Sequence, residues 1–252
     1  MKRSGQSKLR LYSRIFRTAE IDSTFYRNPS KGTVMGWLKY SPSDFIFTAK
    51  LPKLITHDKA LGLRRDVKAD LVEFLDLMRP LLLGGKLGCL LIQLPPKYTY
   101  NPENLESFFQ MLDPTFRYAV EFRNVTWLMP QTRTFKLLEK YRVAYTNVDE
   151  PLLPPEMHLT ADFAYFRWHG HGENIWFDYR YSKDELEPWV PKVEEATGKV
   201  KKVYGYFNNH YHGYAPENCL QLMEQLGLLS QEQKKAKEKS KVKQAQLGAF
   251  FS

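Results

Sequence analysis

Seven short apolar runs alternate with amphipathic stretches along most of the chain, and this beat restricts the fold more than any other feature. The runs cover 17–22, 44–50, 88–94, 117–121, 142–148, 163–169 and 203–208, each with the length and the β-branched or aromatic content of a buried strand. Helix candidates lie between them at 33–40, 65–83, 102–112, 131–141, 183–197 and 216–228. The second of these carries Val67, Leu71, Phe74, Leu75, Met78 and Leu82 on one face, the stripe of a helix laid on a sheet. Pro102 and Pro216 fall where a helix begins and a missing amide hydrogen costs little. Parallel strands need long crossovers, so the predicted class is α/β, a TIM-type (β/α) barrel.

The beat starts out of phase. Leu9, Tyr12, Ile15 and Phe16 form a helical stripe, so the chain opens on a helix with no strand before it. One strand-helix unit of an eightfold barrel takes about 30 residues. The expectation is therefore a barrel lacking its first β-strand, with two unpaired edges at the gap; either the true start lies upstream of Met1 or the gap is closed some other way. At 43% apolar, 252 residues fill one core, and residues 1–229 read as one domain.

Each predicted strand ends on a polar side chain: Glu20, Asp22 and Ser23; Lys50, with His57 beyond; Gln93; Glu121 and Arg123; Asn147 and Asp149; Arg167 and His169; Asn208 and Asn209. In a parallel barrel these ends converge on one mouth, where such folds keep their chemistry. Singly, each residue has a plainer reading. Arg123 pairs with Glu121, Asn208 and Asn209 stitch a turn, and His169 before Gly170 is a satisfied loop histidine.

The formal charge is +9. Residues 231–243 hold six Lys against two Glu, a balance of +4, which leaves about +5 for the body, a mild bias toward polyanions such as DNA or RNA. No apolar run is long enough to span a bilayer and the N-terminus is no signal peptide, so a cytoplasmic protein with no membrane contact is expected. Cys89 lies in an apolar strand and Cys219 in an amphipathic helix, both read as small buried hydrophobes.

The chain ends Gln244-Ala-Gln-Leu247-Gly-Ala-Phe250-Phe251-Ser252. In a tight turn of three residues Gln244, Leu247 and Phe250 eclipse, with Phe251 beside them, forming an apolar plug with one amide donor. Residues 230–243 read as a Lys-rich flexible linker that separates this plug from the body. Two readings stand: a peptide that docks into a partner's pocket by its aromatic anchors, or a plug folded back onto an apolar groove of its own domain. The spacing resembles the PCNA-interacting peptide, by which replication and repair proteins bind the sliding clamp, and this makes 244–252 a clamp-binding segment through Gln244, Leu247, Phe250 and Phe251.

Other segments carry a second resemblance. Ala19-Glu20-Ile21-Asp22-Ser23-Thr24-Phe25-Tyr26, Phe45-Ile46-Phe47-Thr48-Ala49-Lys50, Ile55-Thr56-His57, Gln93-Leu94-Pro95-Pro96, Val120-Glu121-Phe122-Arg123 with Trp127, Phe166-Arg167-Trp168-His169-Gly170 and Phe207-Asn208-Asn209 resemble, in order, the YecE-like family, domain of unknown function 72. The resemblance implies a TIM-type barrel with polar residues at the carboxyl-end mouth; it supplies no reaction. Members usually begin with a glycine-rich strand like Gly-Thr-Ser-Gly-Trp, which has no counterpart here. The clamp-type tail is a second departure and points to an archaeal relative recruited to DNA.

The candidate site follows. Glu20, Lys50, His57, Glu121 and His169 are candidate catalytic residues; Thr24, Gln93, Arg123, Arg167, Asn208 and Asn209 are candidate substrate or phosphate ligands. Glu20 and Glu121 with His57 or His169 offer a divalent metal site, but no His-x-His, helical His pair or Asp cluster supports it. Phosphate is favoured, because Lys50, Arg123 and Arg167 at one mouth need an anion or the carboxylates to neutralise them. The leading expectation is a PCNA-bound phosphodiester hydrolase, a nuclease candidate in DNA repair or replication. The alternatives are a non-catalytic clamp partner and a metabolic enzyme acting on a phosphorylated small molecule.

Overall fold

The computed structural model describes residues 5–235 and 237–238. Its elements run α1 (Gly5–Ile15), β1 (Thr18–Ile21), α2 (Ser23–Tyr26), α3 (Lys31–Tyr40), β2 (Ile46–Lys50), α4 (Lys68–Leu83), β3 (Leu87–Gln93), α5 (Pro102–Phe109), β4 (Tyr118–Glu121), α6 (Thr134–Tyr141), β5 (Ala144–Asp149), β6 (Phe163–Trp168), α7 (Lys183–Leu186), α8 (Trp189–Lys199), β7 (Lys202–Phe207) and α9 (Tyr214–Gln225). The strands stand in sequence order, each parallel to the next. The result is a nearly closed seven-stranded barrel of the TIM type. Among the described residues no ladder joins β7 to β1, so the expected gap is present.

Strand alternation sorts the side chains into two layers. One parity faces the helices: Phe47, Ala49, Leu90, Ile92, Tyr118 and Val120 pack beneath α4 and α5. Ala164, Phe166 and Trp168 pack against α7, α8 and α9. The other parity fills the barrel with Cys89, Leu91, Ala119, Ala144, Phe163, Tyr165, Tyr204 and Tyr206. The interior is partly polar near the gap, where the Tyr206 and Thr18 hydroxyls meet at 2.6 Å and Tyr165 meets Thr48 at 2.9 Å.

The predicted strands recur within a few residues, and the helices differ at their ends. The helix expected over 183–197 is divided into α7 and α8 around Pro188, which has no amide hydrogen to continue the helical hydrogen-bond ladder. α4 starts at Lys68 rather than 65 and α6 at Thr134 rather than 131. The stretch before α6 is held by Thr132 and Thr134, whose hydroxyls both donate to the Trp127 carbonyl. Cys89 is buried, but Cys219 is only partly so, and both are free thiols. No helix among the described residues is long and apolar enough to cross a membrane.

Candidate functional site

Strand parity determines which polar residues share the mouth. Asp22, Lys50, Gln93, Glu121 with Arg123, Arg167 with His169, and Asn208 continue the inward face of their strands, and Glu20 lies one layer deeper. On β5 the inward parity runs Ala144, Thr146, Val148 and then Glu150. Asn147, Asp149 and Asn209 have the opposite parity.

The centre of the cluster is a chain of buried ions. Arg167 donates to Glu20 at 2.7 Å and to Glu121 at 2.6 Å. Glu121 also accepts from Gln93 at 2.5 Å and from the Arg123 Nε at 2.8 Å. Burial works to raise the Glu121 carboxyl, yet the guanidinium of Arg167, reinforced by Arg123, outweighs it and holds the group well below the usual carboxylate range. With both oxygens saturated by donors, Glu121 is a fixed anion.

His169 is 2% exposed. The Asn208 side-chain amide donates to its Nδ1 at 3.1 Å, which assigns the proton to Nε2, 3.2 Å from Glu121 Oε1. Burial lowers its pKa to about 3; Glu121 opposes this while Arg123 and Arg167 add to it, so the ring is a neutral donor. Lys50 pairs with Asp22 at 2.9 Å and lies 4.4 Å over the Phe25 ring, with burial and Arg167 lowering its pKa. His57 Nδ1 is hydrogen-bonded to the Thr56 hydroxyl at 2.9 Å, and the ring packs edge-on against Phe25 and is lowered to about 4 by burial and Lys50.

Glu150 is the exception among the carboxylates. It is 2% exposed, and among the described residues neither oxygen has a hydrogen-bond partner and its ion pair is with the Arg123 Nε at 3.2 Å. Burial pushes its pKa up to about 7, Arg123 opposing and Glu121 assisting. It is the carboxyl at this mouth poised to gain or lose a proton near neutrality.

Thr24 and Asn209 do not join the cluster. The Thr24 hydroxyl sits at the carbonyls of Ile21 and Lys50, 2.8 Å from each, and Thr24 is fully buried. The Asn209 amide holds Tyr179 O and Asn218 Oδ1, tying down the loop after β7. The neutralisation expected from phosphate needs correcting as well. Lys50, Arg123 and Arg167 each have a carboxylate within 3.2 Å, so Asp22, Glu20, Glu121 and Glu150 already balance them without an anion.

Glu121, Glu150 and His169 offer ligand atoms within 4.8 Å of one another, a spacing that suits a metal ion. The Arg123 guanidinium fills this space, however. Its Nε reaches both carboxylates, and one terminal nitrogen lies 3.2 Å and 3.3 Å from the two ring nitrogens of His169. A metal would have to displace it.

The sequence reading missed Glu150, by ending the fifth strand at Val148 and taking Asn147 and Asp149 as its polar end. Counting two residues on from Val148 would have found it. It also passed over Trp176, whose ring lies 5.8 Å from the Arg123 guanidinium, and His171, which bonds Asp149 at 2.8 Å. Gln244, Leu247, Phe250 and Phe251 lie outside the described residues.

The chain is similar to UPF0759 protein YunF of Bacillus subtilis, with 29% identity over 255 residues, 90% of this chain and 89% of that protein. It shares 34% identity over 125 residues with UPF0759 protein YecE of Escherichia coli K12, 48% of this chain and 43% of that protein. Crystal structures of two DUF72 family proteins superpose on it. One, from Enterococcus faecalis V583, has a TM-score of 0.81 at 26% identity, covering 90% of this chain and 96% of that one. The other, from Thermotoga maritima MSB8, has a TM-score of 0.76 at 29% identity, covering 90% and 91%. These relatives are bacterial, and none supports the expected archaeal type. The family model described as protein of unknown function DUF72 matches residues 1–244, and the chain belongs to that family.

Proposed function

We propose that the protein is an enzyme that works by proton transfer at the carboxyl-end mouth of its barrel, carried to the sliding clamp by residues 244–252 and acting there on a phosphodiester of DNA or RNA. The observation that carries the catalytic half is Glu150: buried, without a hydrogen-bond partner, and held at about 7 beside Arg123. In this reading Glu150 takes the proton of the attacking water as the new phosphorus–oxygen bond forms. The bond to the leaving oxygen breaks, and that oxygen takes a proton from solvent. Arg123, 14% exposed at its side chain, faces the phosphoryl oxygens, with neutral His169 and fixed Glu121 holding its position. The clamp half is supported by the spacing of Gln244, Leu247, Phe250 and Phe251.

The test is cleavage by the full-length protein of single-stranded, double-stranded and branched DNA and of RNA, with and without divalent metals. Wild-type kcat/KM should rise with pH through a midpoint near 7, and Glu150→Gln should lower it about 100-fold or more while leaving the circular dichroism unchanged. If no substrate is cut the hydrolase assignment falls, and if cleavage is undiminished in Glu150→Gln another group moves the proton.

A further inference from the structure

The loops that follow β6 and β7 carry a strip of rings which the proton-transfer groups leave unused. It begins at Trp176, whose ring lies 5.8 Å from the Arg123 guanidinium. Phe177 comes next, 37% exposed, parallel to the His210 ring at 5.3 Å and 6.1 Å from Tyr211, which is 53% exposed. Tyr211 in turn meets His212 edge-on at 4.9 Å. The loops themselves are pinned. The Gly170 amide donates to the Tyr181 hydroxyl at 2.9 Å, the Asn209 side-chain amide ties the two loops together through the Tyr179 carbonyl at 2.8 Å, and His212 lies 3.4 Å from Asp178. Phe177 and Tyr211 are therefore held in water by an ordered backbone. Large rings kept exposed side by side on a fixed scaffold mark a surface made for a ligand.

We propose that this strip is a stacking platform for unpaired bases, so that the mouth takes its DNA as a single strand. The proposal rests on the reading of the mouth as a phosphodiester site brought to DNA, and names the form of substrate that site accepts. Position is the first support. The strip starts at Arg123, the cation assigned to the phosphoryl oxygens, so a strand with one phosphate there carries its neighbouring bases out along the β6 and β7 loops. Chemistry is the second. The faces of paired bases are covered by their neighbours in a duplex, and only an unpaired base can lay its face on a phenyl or phenol ring. Charge is the third. A formal charge of +9 attracts any polyanion, and the rings then separate strands with accessible bases from those without. Phe177 has no polar side-chain atom, so it detects the presence of a base and not its identity.

A strand of abasic sites keeps every phosphate and removes only what the rings would hold. Binding by full-length protein is to be measured by fluorescence anisotropy with a thymidine strand of about 12 nucleotides, an abasic strand of equal length, the matching duplex and the matching RNA. Wild type, Phe177→Ala, Tyr211→Ala and Phe177→Trp are compared. The thymidine strand should bind about tenfold or more tighter than the abasic strand and the duplex, and each alanine variant should lose about tenfold for the thymidine strand alone. Phe177→Trp should restore the affinity, because the ring and not the loop is what binds. Equal affinity of wild type for thymidine and abasic strands overturns the proposal. An equal loss for both strands in the alanine variants also overturns it, since phosphate contact or loop shape would then be responsible. RNA bound tenfold more tightly than DNA overturns the choice of DNA. Base-selective binding by a protein that cuts nothing upholds the platform and sinks the hydrolase; cleavage without base selectivity does the reverse.

Discussion

Arg167 and Glu121 form an ion pair of 2.6 Å in which neither side chain has any exposure. Because the second guanidinium arm of Arg167 holds Glu20 at 2.7 Å, one cation anchors two carboxylates from β1 and β4 to β6, on opposite sides of the barrel interior. Replacing Arg167 by Met leaves the Glu20 carboxylate with the Tyr165 hydroxyl but no cation among the described residues, and takes from Glu121 one of its two arginines, so the expected loss is about 3–5 kcal/mol by urea unfolding. Arg167→Met combined with Glu121→Gln should recover part of it. A single variant within about 1 kcal/mol of wild type would show that the pair is not what organises the mouth.

Glu150 and His169 pull stability in opposite directions as pH changes. Burial raises the Glu150 carboxyl from 4.5 to about 7, so between those values the folded chain keeps a proton the unfolded chain has lost, and stability falls as pH rises. Burial lowers His169 from 6.5 to about 3, so in that window the unfolded chain holds the extra proton and stability rises with pH. The two oppose each other between 4.5 and 6.5. Glu150→Gln should therefore steepen the rise in thermal midpoint over that range, by up to about 1.4 kcal/mol per pH unit. Superimposable profiles for variant and wild type would remove Glu150 as a titrating group.

Gly170 follows His169 with φ at +95°, and a Cβ there would stand 2.3 Å from the Trp176 carbonyl oxygen and 2.6 Å from the Tyr179 Cβ. Alanine at this position is strained in backbone and in space, and the loop that carries Trp176 over Arg123 must move. A loss of about 2 kcal/mol or more is expected, with a shift in tryptophan fluorescence. An unaltered urea midpoint and spectrum would mean that the loop adapts freely.

The peptide from Lys241 to Ser252 should bind the sliding clamp in calorimetry with a dissociation constant in the micromolar range, about −8 kcal/mol. Phe250→Ala in the peptide should weaken it by about 2 kcal/mol, roughly 30-fold. No heat at peptide concentrations of several hundred micromolar would end the assignment to the clamp.

The alternation of apolar runs and helical stripes determined the seven parallel strands, their order and the opening helix, because a parallel strand requires a crossover and each element shows its own period. It also determined that Lys50, Glu121, Arg123, Arg167 and His169 would meet, since carboxyl ends of parallel strands converge. Only the tertiary structure decided the parity at those ends, which brings Glu150 inside and sends Asn209 out, and only it fixed the partner of each charge. Lys50, Arg123 and Arg167 look alike as isolated cations in a sequence. In the barrel each is matched to particular carboxylates, and Glu150 is left with both oxygens buried and without a hydrogen bond, a consequence of distances between strands that no local pattern encodes.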